Sequence, residues 1–225
     1  MLGKDDHRHM VKIAPSLLSC DFTKMGDELR NMEEIGADWA HLDVMDGHFV
    51  TNLTFGLPVI AALRPVSRIV FDVHLMIEQP EPYIDRYIDA GADVLTVHLE
   101  ACRDVTAALR AIRARGCIAG LSIKPGTPTS AVFPYLSEAD MILVMTVEPG
   151  YGGQKLIPAC LDKIGEIKKR AAEEGKAILV EVDGGVNAGN AAEVRAAGAD
   201  ILVAGSAVFG SSDRTAAVRA LRGDL

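Results

Sequence analysis

A histidine and an aspartate two residues apart, His41 and Asp43, have the types and the spacing that suit chemistry. They lie in an apolar segment that we expect to form a β-strand, in which alternate side chains point to one face, so that His41, Asp43 and Met45 share a face. An imidazole and a carboxylate on one strand face can bind a single metal ion. Taken alone, this spacing is more typical of an ordinary strand end that faces water, so a metal site requires partners elsewhere in the chain.

Two further segments supply such partners. Residues 72–76 place His74 and Met76 on one strand face, and Asp183 ends another apolar segment just before a glycine pair. Two imidazoles and two carboxylates from three strands can surround one divalent cation and leave positions open for substrate oxygens. The plainer alternatives are a hydrogen-bonded rim histidine for His74 and a turn or helix-capping aspartate for Asp183. We favour the metal site because the four residues together make a complete ligand set.

Glycine clusters follow three predicted strands and indicate an anion site. Backbone N–H groups of glycines can approach a phosphate closely, and a helix N-terminus adds a favourable dipole. The residues concerned are Gly150, Gly152, Gly153, Gly184, Gly185, Gly205 and Ser206. Any one glycine pair also suits an ordinary turn. Three clusters after neighbouring strands favour phosphate binding, which barrels often place at the loops after their last strands.

Composition limits the classes of partner. The chain has 225 residues, of which 49% are hydrophobic, and a formal net charge of −8 with a pI near 5.2. This acidic balance argues against nucleic acid or an anionic membrane, so a phosphorylated substrate must be held by local donors. No apolar run approaches the roughly 18 residues of a membrane span. The four cysteines show neither metal-ligand nor redox spacing, and such scattered thiols fit a cytoplasmic location.

A short Gly-Ala-Asp repeat indicates how the elements are arranged. It occurs at residues 36–38, 91–93 and 198–200, with a degenerate Glu-Ala-Asp at 138–140. The glycine suits the left-handed position that ends a helix, and an apolar strand-like segment follows at once. One strand–helix unit of a parallel sheet takes roughly 25–30 residues. Each interval between copies therefore has room for two units.

Eight apolar segments fit this arrangement. We predict strands at residues 12–18, 38–44, 68–75, 94–98, 117–123, 141–146, 177–182 and 201–204, and helices at residues 22–35, 58–63, 82–90, 105–112, 130–136, 161–171, 188–197 and 215–221. The predicted fold class is therefore α/β, a single (β/α)8 TIM barrel of eight parallel strands over residues 11–225. Residues 1–10 are expected to form a flexible polar leader.

The active site of such a barrel lies at the carboxyl ends of its strands. Four histidines fall at or just past a predicted strand end, namely His41, His48, His74 and His98. Core histidines would not be expected to collect at one rim by chance. Their placement supports a catalytic site there.

Five segments together resemble the ribulose-phosphate 3-epimerase family. They are residues 14–18, 41–50, 72–76, 146–154 and 182–186, and the similarity extends from about residue 12 to the last predicted helix. The resemblance implies a cytoplasmic isomerase of the pentose phosphate pathway that converts D-ribulose 5-phosphate to D-xylulose 5-phosphate. It also implies one divalent metal ion per chain, with zinc favoured and iron, manganese or cobalt as alternatives. The partner is then a small sugar phosphate, and assembly into a homo-oligomer stays open.

The resemblance also assigns roles to individual residues. The metal ligands correspond to His41, Asp43, His74 and Asp183, with Asp43 as the proton acceptor and Asp183 as the donor. The substrate contacts correspond to Ser16, His74, Gly150, Tyr151, Gly152, Gly153, Asp183, Gly184, Gly185, Gly205 and Ser206. The pocket lining corresponds to Met45, Met76 and Met145, although methionine at such spacing also suits an ordinary core.

The chemistry of the reaction agrees with these roles. Inverting a carbon next to a ketone requires removal of a weakly acidic proton and return of a proton to the opposite face. A divalent cation that binds the carbonyl oxygen and the neighbouring hydroxyl would stabilise the enediolate as charge develops. Carboxylates on the two faces of that plane, Asp43 and Asp183, would act as base and acid and exchange roles in the reverse direction.

Three departures from the family pattern affect the loops around the pocket. Thr51 stands where the family usually has proline, and Tyr151 and Leu156 stand where it usually has phenylalanine. None of the three removes a ligand or a base. They bear on the shape of the loop over the pocket and so on substrate preference.

Other functions are weaker matches to the sequence. An epimerase for allulose 6-phosphate is the closest alternative, although the glycine pairs look more like those of the pentose enzyme. A Schiff-base aldolase would use Lys124, but Pro125 and Gly126 follow it and indicate a rim turn. A related barrel decarboxylase would need lysine at position 74. A non-catalytic sugar-phosphate binding barrel has no evident need for two carboxylates in its site.

Overall fold

A sheet of eight parallel strands organises residues 10–224, which are the residues that the computed structural model describes. The strands are β1 (Lys12–Pro15), β2 (Trp39–Met45), β3 (Val70–Met76), β4 (Val94–His98), β5 (Ile118–Ile123), β6 (Met141–Met145), β7 (Leu179–Asp183) and β8 (Ile201–Ala204). Neighbours follow the order β1-β8-β7-β6-β5-β4-β3-β2, and a parallel bridge between Ser16 and His41 joins the two ends. The predicted TIM barrel is thereby confirmed. The leader predicted over residues 1–10 lies outside the described residues, apart from Met10.

Helices cover the outside of this barrel. They are α1 (Met25–Glu34), α2 (Leu57–Leu63), α3 (Ile84–Asp89), α4 (Val105–Ala114), α5 (Leu161–Glu173), α6 (Ala191–Ala196), α7 (Ser206–Phe209) and α8 (Arg214–Arg222). In α4 the buried residues are Val105, Ala108, Leu109 and Ile112. The Asp104 side chain caps the first turn by accepting from the N–H of Ala107. None of the helices in the described part of the chain is long and apolar enough to cross a membrane.

The sequence pattern over residues 130–136 predicts a helix after β5, and this prediction is wrong. The segment instead forms two 3-10 turns, Thr129–Ala131 and Phe133–Tyr135. Pro134 has no backbone N–H to donate, and its ring disfavours the α conformation for the residue before it. A continuous α-helix is therefore interrupted at this point.

The first two predicted strands differ from the observed ones at their carboxyl ends. β1 stops at Pro15 because the Ser16 hydroxyl accepts from the N–H of Leu18 and starts a short 3-10 turn. β2 runs on to Met45, so His41 is the third of seven strand residues and not the last. The expectation that His41 ends its strand is wrong. The histidine instead lies one layer deeper inside the barrel than Asp43.

The repeat aspartates tie pairs of strands together at the amino-terminal end of the barrel. Each side chain accepts from the N–H of a residue near the start of the neighbouring odd-numbered strand: Asp38 from Ile13, Asp93 from Phe71, Asp140 from Ala119 and Asp200 from Val180. Each also pairs with a basic side chain: Arg222, Arg64, Arg113 and Lys168, in the same order. The repeat thus marks every second strand–helix unit. Its aspartates stabilise the amino-terminal face of the barrel, opposite the carboxyl ends of the strands where barrel enzymes have their active sites.

The interior of the barrel changes from apolar to polar along its axis. Apolar side chains fill the amino-terminal end, including Trp39, Val94, Met141 and Ile201. Two residues further along the strands, the side chains that point inward are polar and buried, namely His41, Asp72, Thr96 and Glu181. The outward residues of the same strands, such as Leu42 and Val73, pack against the helices. The carboxyl half of the barrel therefore holds buried charge above an apolar base.

Candidate active site and metal centre

Four predicted ligands converge at the carboxyl end of the barrel. His41, Asp43, His74 and Asp183 each offer a ligand atom, and these atoms all lie within 4.8 Å of one another. Nε2 of His41 is 3.3 Å from Oδ1 of Asp43 and 3.8 Å from Oδ2 of Asp183. Nδ1 of His74 is 3.4 Å and 3.6 Å from the same two oxygens. The strand pleat and the parallel register bring these side chains together from β2, β3 and β7.

These separations fit a four-coordinate metal ion. With metal–nitrogen and metal–oxygen distances of about 2.0–2.2 Å, the ligand atoms of a tetrahedral site lie roughly 3.3–3.6 Å apart. Nε2 of His41 and Nδ1 of His74 are both buried, and neither has a hydrogen-bond partner among the described residues. Buried polar nitrogens without a partner are costly. A cation bound between the imidazoles and carboxylates would supply that partner to both.

Opposite charges govern protonation in this cluster. Burial favours the neutral form of Asp43, but the charge of His41 and contacts with His41 and His74 hold its pKa well below the usual range. Burial likewise favours neutral His41, yet the carboxylates of Asp72 and Asp43 raise its pKa well above the ordinary value. For His74, contacts with Asp183 and Asp43 outweigh burial and also raise the pKa. Protons on these imidazoles therefore compete with a metal ion for the same nitrogens.

Two buried carboxyl groups lie behind His41. Its Nδ1 is 2.5 Å from Oδ2 of Asp72 and 3.9 Å from Oε1 of Glu181, and all three side chains are fully buried. Burial, and then the nearby charge of Asp72, raises the pKa of Glu181 well above its usual range. Asp72 accepts a hydrogen bond from Nδ1–H of His41, and the lone pair of the neutral imidazole is then on Nε2, which faces the four-residue cluster.

A second imidazole lies behind His74. Nε2 of His74 is 2.8 Å from Nε2 of His98, whose Nδ1 is 3.3 Å from Oε2 of Glu100. Burial lowers the pKa of His98 to about 4, against the pull of the Glu100 carboxylate. Burial works against ionisation of Glu100 too, but hydrogen bonds from His98, the Lys124 N–H and Thr127 lower its pKa to about 2. The pair is therefore a neutral imidazole beside a carboxylate.

An open cavity of about 600 Å³ lies above the cluster. Its lining includes most of the predicted site: Ser16, Asp43, Met45, Met76, Met145, Gly150, Tyr151, Gly152, Gly153, Asp183, Gly184, Gly185, Gly205 and Ser206. His41 and His74 are not part of the lining, because the residues above them cover both rings completely. The cavity thus meets the four-residue cluster through its two carboxylates.

Two of the predicted anion-site glycines are required by the backbone itself. Gly184 and Gly185 have positive φ angles of 124° and 69°, which disfavour residues with a side chain. A Cβ on Gly185 would also collide with the backbone of residues 154–156, and a Cβ on Gly184 would collide with Val147. The loops after β6 and β7 can therefore approach each other only at glycine. The N–H groups of Gly153 and Gly185 have no acceptor among the described residues, so both are free for an anion.

Three other predicted features lie at the edge of the cavity or outside it. The hydroxyls of Tyr151 and Thr51, two of the departures from the family pattern, lie 3.0 Å apart, and of the two residues only Tyr151 lines the cavity. His48 is exposed and bonds within its own turn, so it lies outside the cluster. Lys124 is not part of the cavity lining and places its ammonium 3.9 Å from the centre of the Phe49 ring. The lysine that the aldolase alternative would use therefore lies outside the cavity.

Several residues of the site receive no role from the sequence motifs. They are the buried supports Asp72, Glu181 and His98, the support Glu100, whose side chain is 21% exposed, and the cavity residues Ser19, Asn187 and Asn190. The strand period of two could have indicated Asp72 and Glu181, because each lies two residues before a predicted ligand and so points inward with it. The cavity asparagines follow the glycine pair in a turn, and the sequence gives no further indication of them.

The fold and the site together define a class, the TIM-barrel enzymes whose strands present a ligand set for a metal at their carboxyl ends. The sequence model of the Ribulose-phosphate 3 epimerase family matches residues 12–209, and the chain belongs to that family. This confirms the family expected from the motifs.

Individual relatives agree. Ribulose-phosphate 3-epimerase of Bacillus subtilis (strain 168) is 49% identical over 215 residues, which cover 95% of this chain and 99% of that protein. The protein of the same name from Rhodobacter capsulatus is 51% identical over 200 residues, or 88% of this chain and 86% of that one. The structure of KGPDC from Streptococcus mutans matches with a TM-score of 0.69 at 14% identity, covering 96% of this chain and 97% of that chain. At that identity the match shows the barrel fold alone.

Proposed function

We propose that the chain interconverts D-ribulose 5-phosphate and D-xylulose 5-phosphate by moving a proton at C3, with one divalent metal ion held by His41, Asp43, His74 and Asp183. The observation that carries this proposal is the meeting of two carboxylates and two imidazoles at the floor of an open cavity. Family membership adds the reaction class, since the relatives are named ribulose-phosphate 3-epimerase.

The two carboxylates have the positions that an epimerase needs. Asp43 is almost fully buried on β2, and Asp183 ends β7 with 16% of its side chain exposed. In the closed barrel, β1 and β8 separate these strands, so the carboxylates approach a bound sugar from different sides. Asp43 takes the C3 proton of ribulose 5-phosphate and Asp183 returns one to the opposite face. A bound divalent cation would supply stabilisation of the negative charge that develops on the substrate oxygens.

Neighbouring side chains hold the two carboxylates in place. The Ser16 hydroxyl donates to Oδ2 of Asp43 at 2.5 Å. On the other side, the Thr146 hydroxyl lies within 3.0 Å of the carbonyl oxygens of Asp183 and Gly184, which fixes the end of β7. Such support matters because a base must stay within hydrogen-bond reach of the proton that it removes.

The phosphate group of the substrate is held by backbone donors. The cavity is lined by the loops after β6, β7 and β8, where Gly153 and Gly185 offer free N–H groups. Lys155 is the basic side chain in the cavity lining, which also includes the acidic side chain of Glu193. A site of this kind suits an acidic protein, because it needs no positive field over the whole surface.

The metal, the location and the assembly complete the proposal. Zinc is favoured because two imidazoles and two carboxylates at these separations suit a tetrahedral ion, and iron, manganese and cobalt accept the same ligands. The cytoplasm fits four free cysteines, three of which have burial-raised pKa values of about 12. Sedimentation of the purified protein measures its assembly into a homo-oligomer.

Turnover of two sugars beside metal analysis tests the proposal. Purified without chelator, the protein is assayed with ribulose 5-phosphate and with allulose 6-phosphate, and its metal content is measured by elemental analysis. We expect close to one divalent ion per chain and a kcat/KM for the pentose well above that for the hexose. A preference for allulose 6-phosphate would assign the six-carbon reaction instead. Full turnover after complete metal removal would overturn the metal site.

A further inference from the structure

His74 and His98 are two buried imidazoles in contact with each other. Only one direction of the hydrogen bond between them is compatible with a metal ion bound to His74. Their Nε2 atoms are 2.8 Å apart, and both rings are fully buried. One nitrogen must donate and the other must accept, because two N–H groups cannot share that distance. The direction of this bond is fixed by what the other nitrogen of each ring faces.

At the inner end, Nδ1 of His74 faces the oxygens of Asp43 and Asp183 and has no hydrogen-bond partner among the described residues. A metal ligand nitrogen must carry a lone pair and no proton. The proton of neutral His74 therefore belongs on Nε2, from which it donates to His98. A proton on Nδ1 instead would occupy the nitrogen that the metal needs.

At the outer end, His98 accepts on Nε2 and so carries its own proton on Nδ1, 3.3 Å from Oε2 of Glu100. The other oxygen of Glu100 is already engaged, by the Lys124 N–H at 2.8 Å and by the Thr127 hydroxyl. Glu100 is thus anchored to the loop after β5, with one oxygen left to accept from His98. In the series His74, His98 and Glu100, each nitrogen or oxygen therefore acts either as a donor or as an acceptor.

We propose that His98 and Glu100 are positioning residues that hold His74 in the tautomer protonated on Nε2, so that its Nδ1 faces the metal. The geometry parallels that of His41, whose Nδ1 donates to Asp72 while its Nε2 faces the cluster. One ligand imidazole is thus oriented by a carboxylate directly and the other through a second imidazole. Outer partners of this kind orient metal-bound histidines and tune their affinity. The inference rests on the proposed metal ligands.

Glu100→Gln is the most discriminating variant. The amide keeps the shape of the side chain, and its oxygen stays with the Lys124 N–H and Thr127 hydroxyl, so that its NH2 group faces His98. A donor there moves the His98 proton to Nε2, where it opposes the proton of His74. Loss of such an outer partner typically weakens metal binding 10–100-fold. We expect a Zn²⁺ affinity lowered within that range, although the shape of the site is kept.

Two substitutions of His98 separate hydrogen bonding from packing. His98→Leu removes the acceptor for His74 and should weaken Zn²⁺ binding by a similar factor. In His98→Gln the amide oxygen can accept from His74, so its affinity should lie nearer to that of the parent protein. Val97→Ala, which removes buried volume from the outer face of the same strand, should lower the melting temperature and leave Zn²⁺ affinity unchanged.

The measurements are a chelator-competition titration with Zn²⁺ and the ¹⁵N–¹H spectrum of histidine-labelled, Zn²⁺-loaded protein. The spectrum of the parent should show His74 protonated on Nε2 and His98 on Nδ1. Equal Zn²⁺ affinities in the parent, Glu100→Gln and His98→Leu, or a His74 protonated on Nδ1, would overturn the inference. Equal losses in His98→Leu and His98→Gln would also overturn it, because packing alone would then be responsible. The ligand assignment has its own control: unchanged Zn²⁺ binding in His74→Ala overturns the proposed site itself.

Discussion

The hydroxyl of Ser16 lies 2.5 Å from Oδ2 of Asp43, while the two imidazole nitrogens of His41 and His74 lie nearest to Oδ1 of the same carboxylate. The two oxygens of Asp43 therefore face different partners. Ser16 comes from the end of β1 and reaches Asp43 because β1 and β2 close the barrel at that point. A hydrogen bond to the charged form of a carboxylate lowers its pKa and fixes its orientation.

Ser16→Ala should therefore slow the reaction and leave the metal in place. A hydrogen bond to a charged group contributes about 1.5–3 kcal/mol, so we expect kcat to fall roughly tenfold or more. The pKa of Asp43 should rise, because the Ser16 hydroxyl no longer bonds to the charged form of the carboxylate. Ser122→Ala is the control, because it removes a buried hydroxyl that has no partner among the described residues. An unchanged kcat in Ser16→Ala would mean that the serine does not act on Asp43.

Much of this site follows from the strand period and the parallel arrangement alone. His41, Asp43, His74 and Asp183 are predictable because alternate residues share a face and parallel strands present the same end of the barrel. The glycine requirement at Gly185 is only partly predictable. Its positive φ fits a turn, but the close approach of residues 154–156 depends on how two loops meet in space.

The supporting residues could not be predicted in the same way. Asp72 and Glu181 belong to different strands, and only their register with β2 and β8 places both beside His41. The chain from His74 to His98 and Glu100 likewise requires side-chain rotamers that no sequence pattern encodes. The Gly-Ala-Asp repeat predicts the number of units, whereas the contact of each aspartate with a neighbouring strand emerges only from the closed sheet.

Metal binding should begin to weaken at a higher pH than it would at ordinary histidines. The pKa of His41 is raised well above the usual imidazole value, and that of His74 is raised too. Both nitrogens must lose a proton to bind metal, so affinity falls as pH falls, and it begins to fall above the usual range near pH 6.5. A Zn²⁺ titration across pH 5–9 should show release of about two protons per ion at its steepest. Asp72→Asn should shift this dependence to lower pH, because the Asp72 charge raises the pKa of His41. A pH-independent affinity between pH 6 and 8 would contradict the assigned ligands.

Gly205→Ala should weaken substrate binding without affecting the metal. An added Cβ would collide with the Ser19 side chain, which lies in the cavity lining beside the glycine loops. The displaced serine would crowd the position proposed for the phosphate. We expect KM to rise roughly tenfold, or about 1.4 kcal/mol, with unchanged metal content. Gly165→Ala in α5 serves as the control, because its Cβ would meet open space. A normal KM in Gly205→Ala would move the phosphate away from the loop after β8.

The contact between Thr51 and Tyr151 should influence binding and not chemistry. The two hydroxyls lie 3.0 Å apart, and Tyr151, which lines the cavity, is 58% exposed. A neutral hydrogen bond contributes about 0.5–1.5 kcal/mol, so Tyr151→Phe and Thr51→Val should each change KM by up to roughly tenfold. In a double-mutant cycle the two changes should not add, because each removes the same bond. Strict additivity, or a loss confined to kcat, would show that this contact does not act on substrate binding.

Proton exchange distinguishes the two carboxylates. Asp43 and Asp183 approach the sugar from strands separated by β1 and β8, so each should handle the proton of only one epimer. In heavy water, early in the reaction, xylulose 5-phosphate formed from ribulose 5-phosphate should carry deuterium at C3. The remaining ribulose 5-phosphate should stay largely unlabelled, provided that Asp43 exchanges its proton slowly within one turnover.

Variants that keep the metal make the assignment specific. Asp183→Asn should abolish epimerisation and still exchange the C3 proton of ribulose 5-phosphate, because Asp43 retains access to that face. Asp43→Asn should exchange the C3 proton of xylulose 5-phosphate only. Mass spectrometry of each recovered sugar, beside elemental analysis of each variant, gives the result. If one variant lost exchange with both sugars while the other still epimerised, a single base would serve both faces. Asp43 and Asp183 could not then be partners, and the chemistry would have to pass through one carboxylate that reaches both sides of C3.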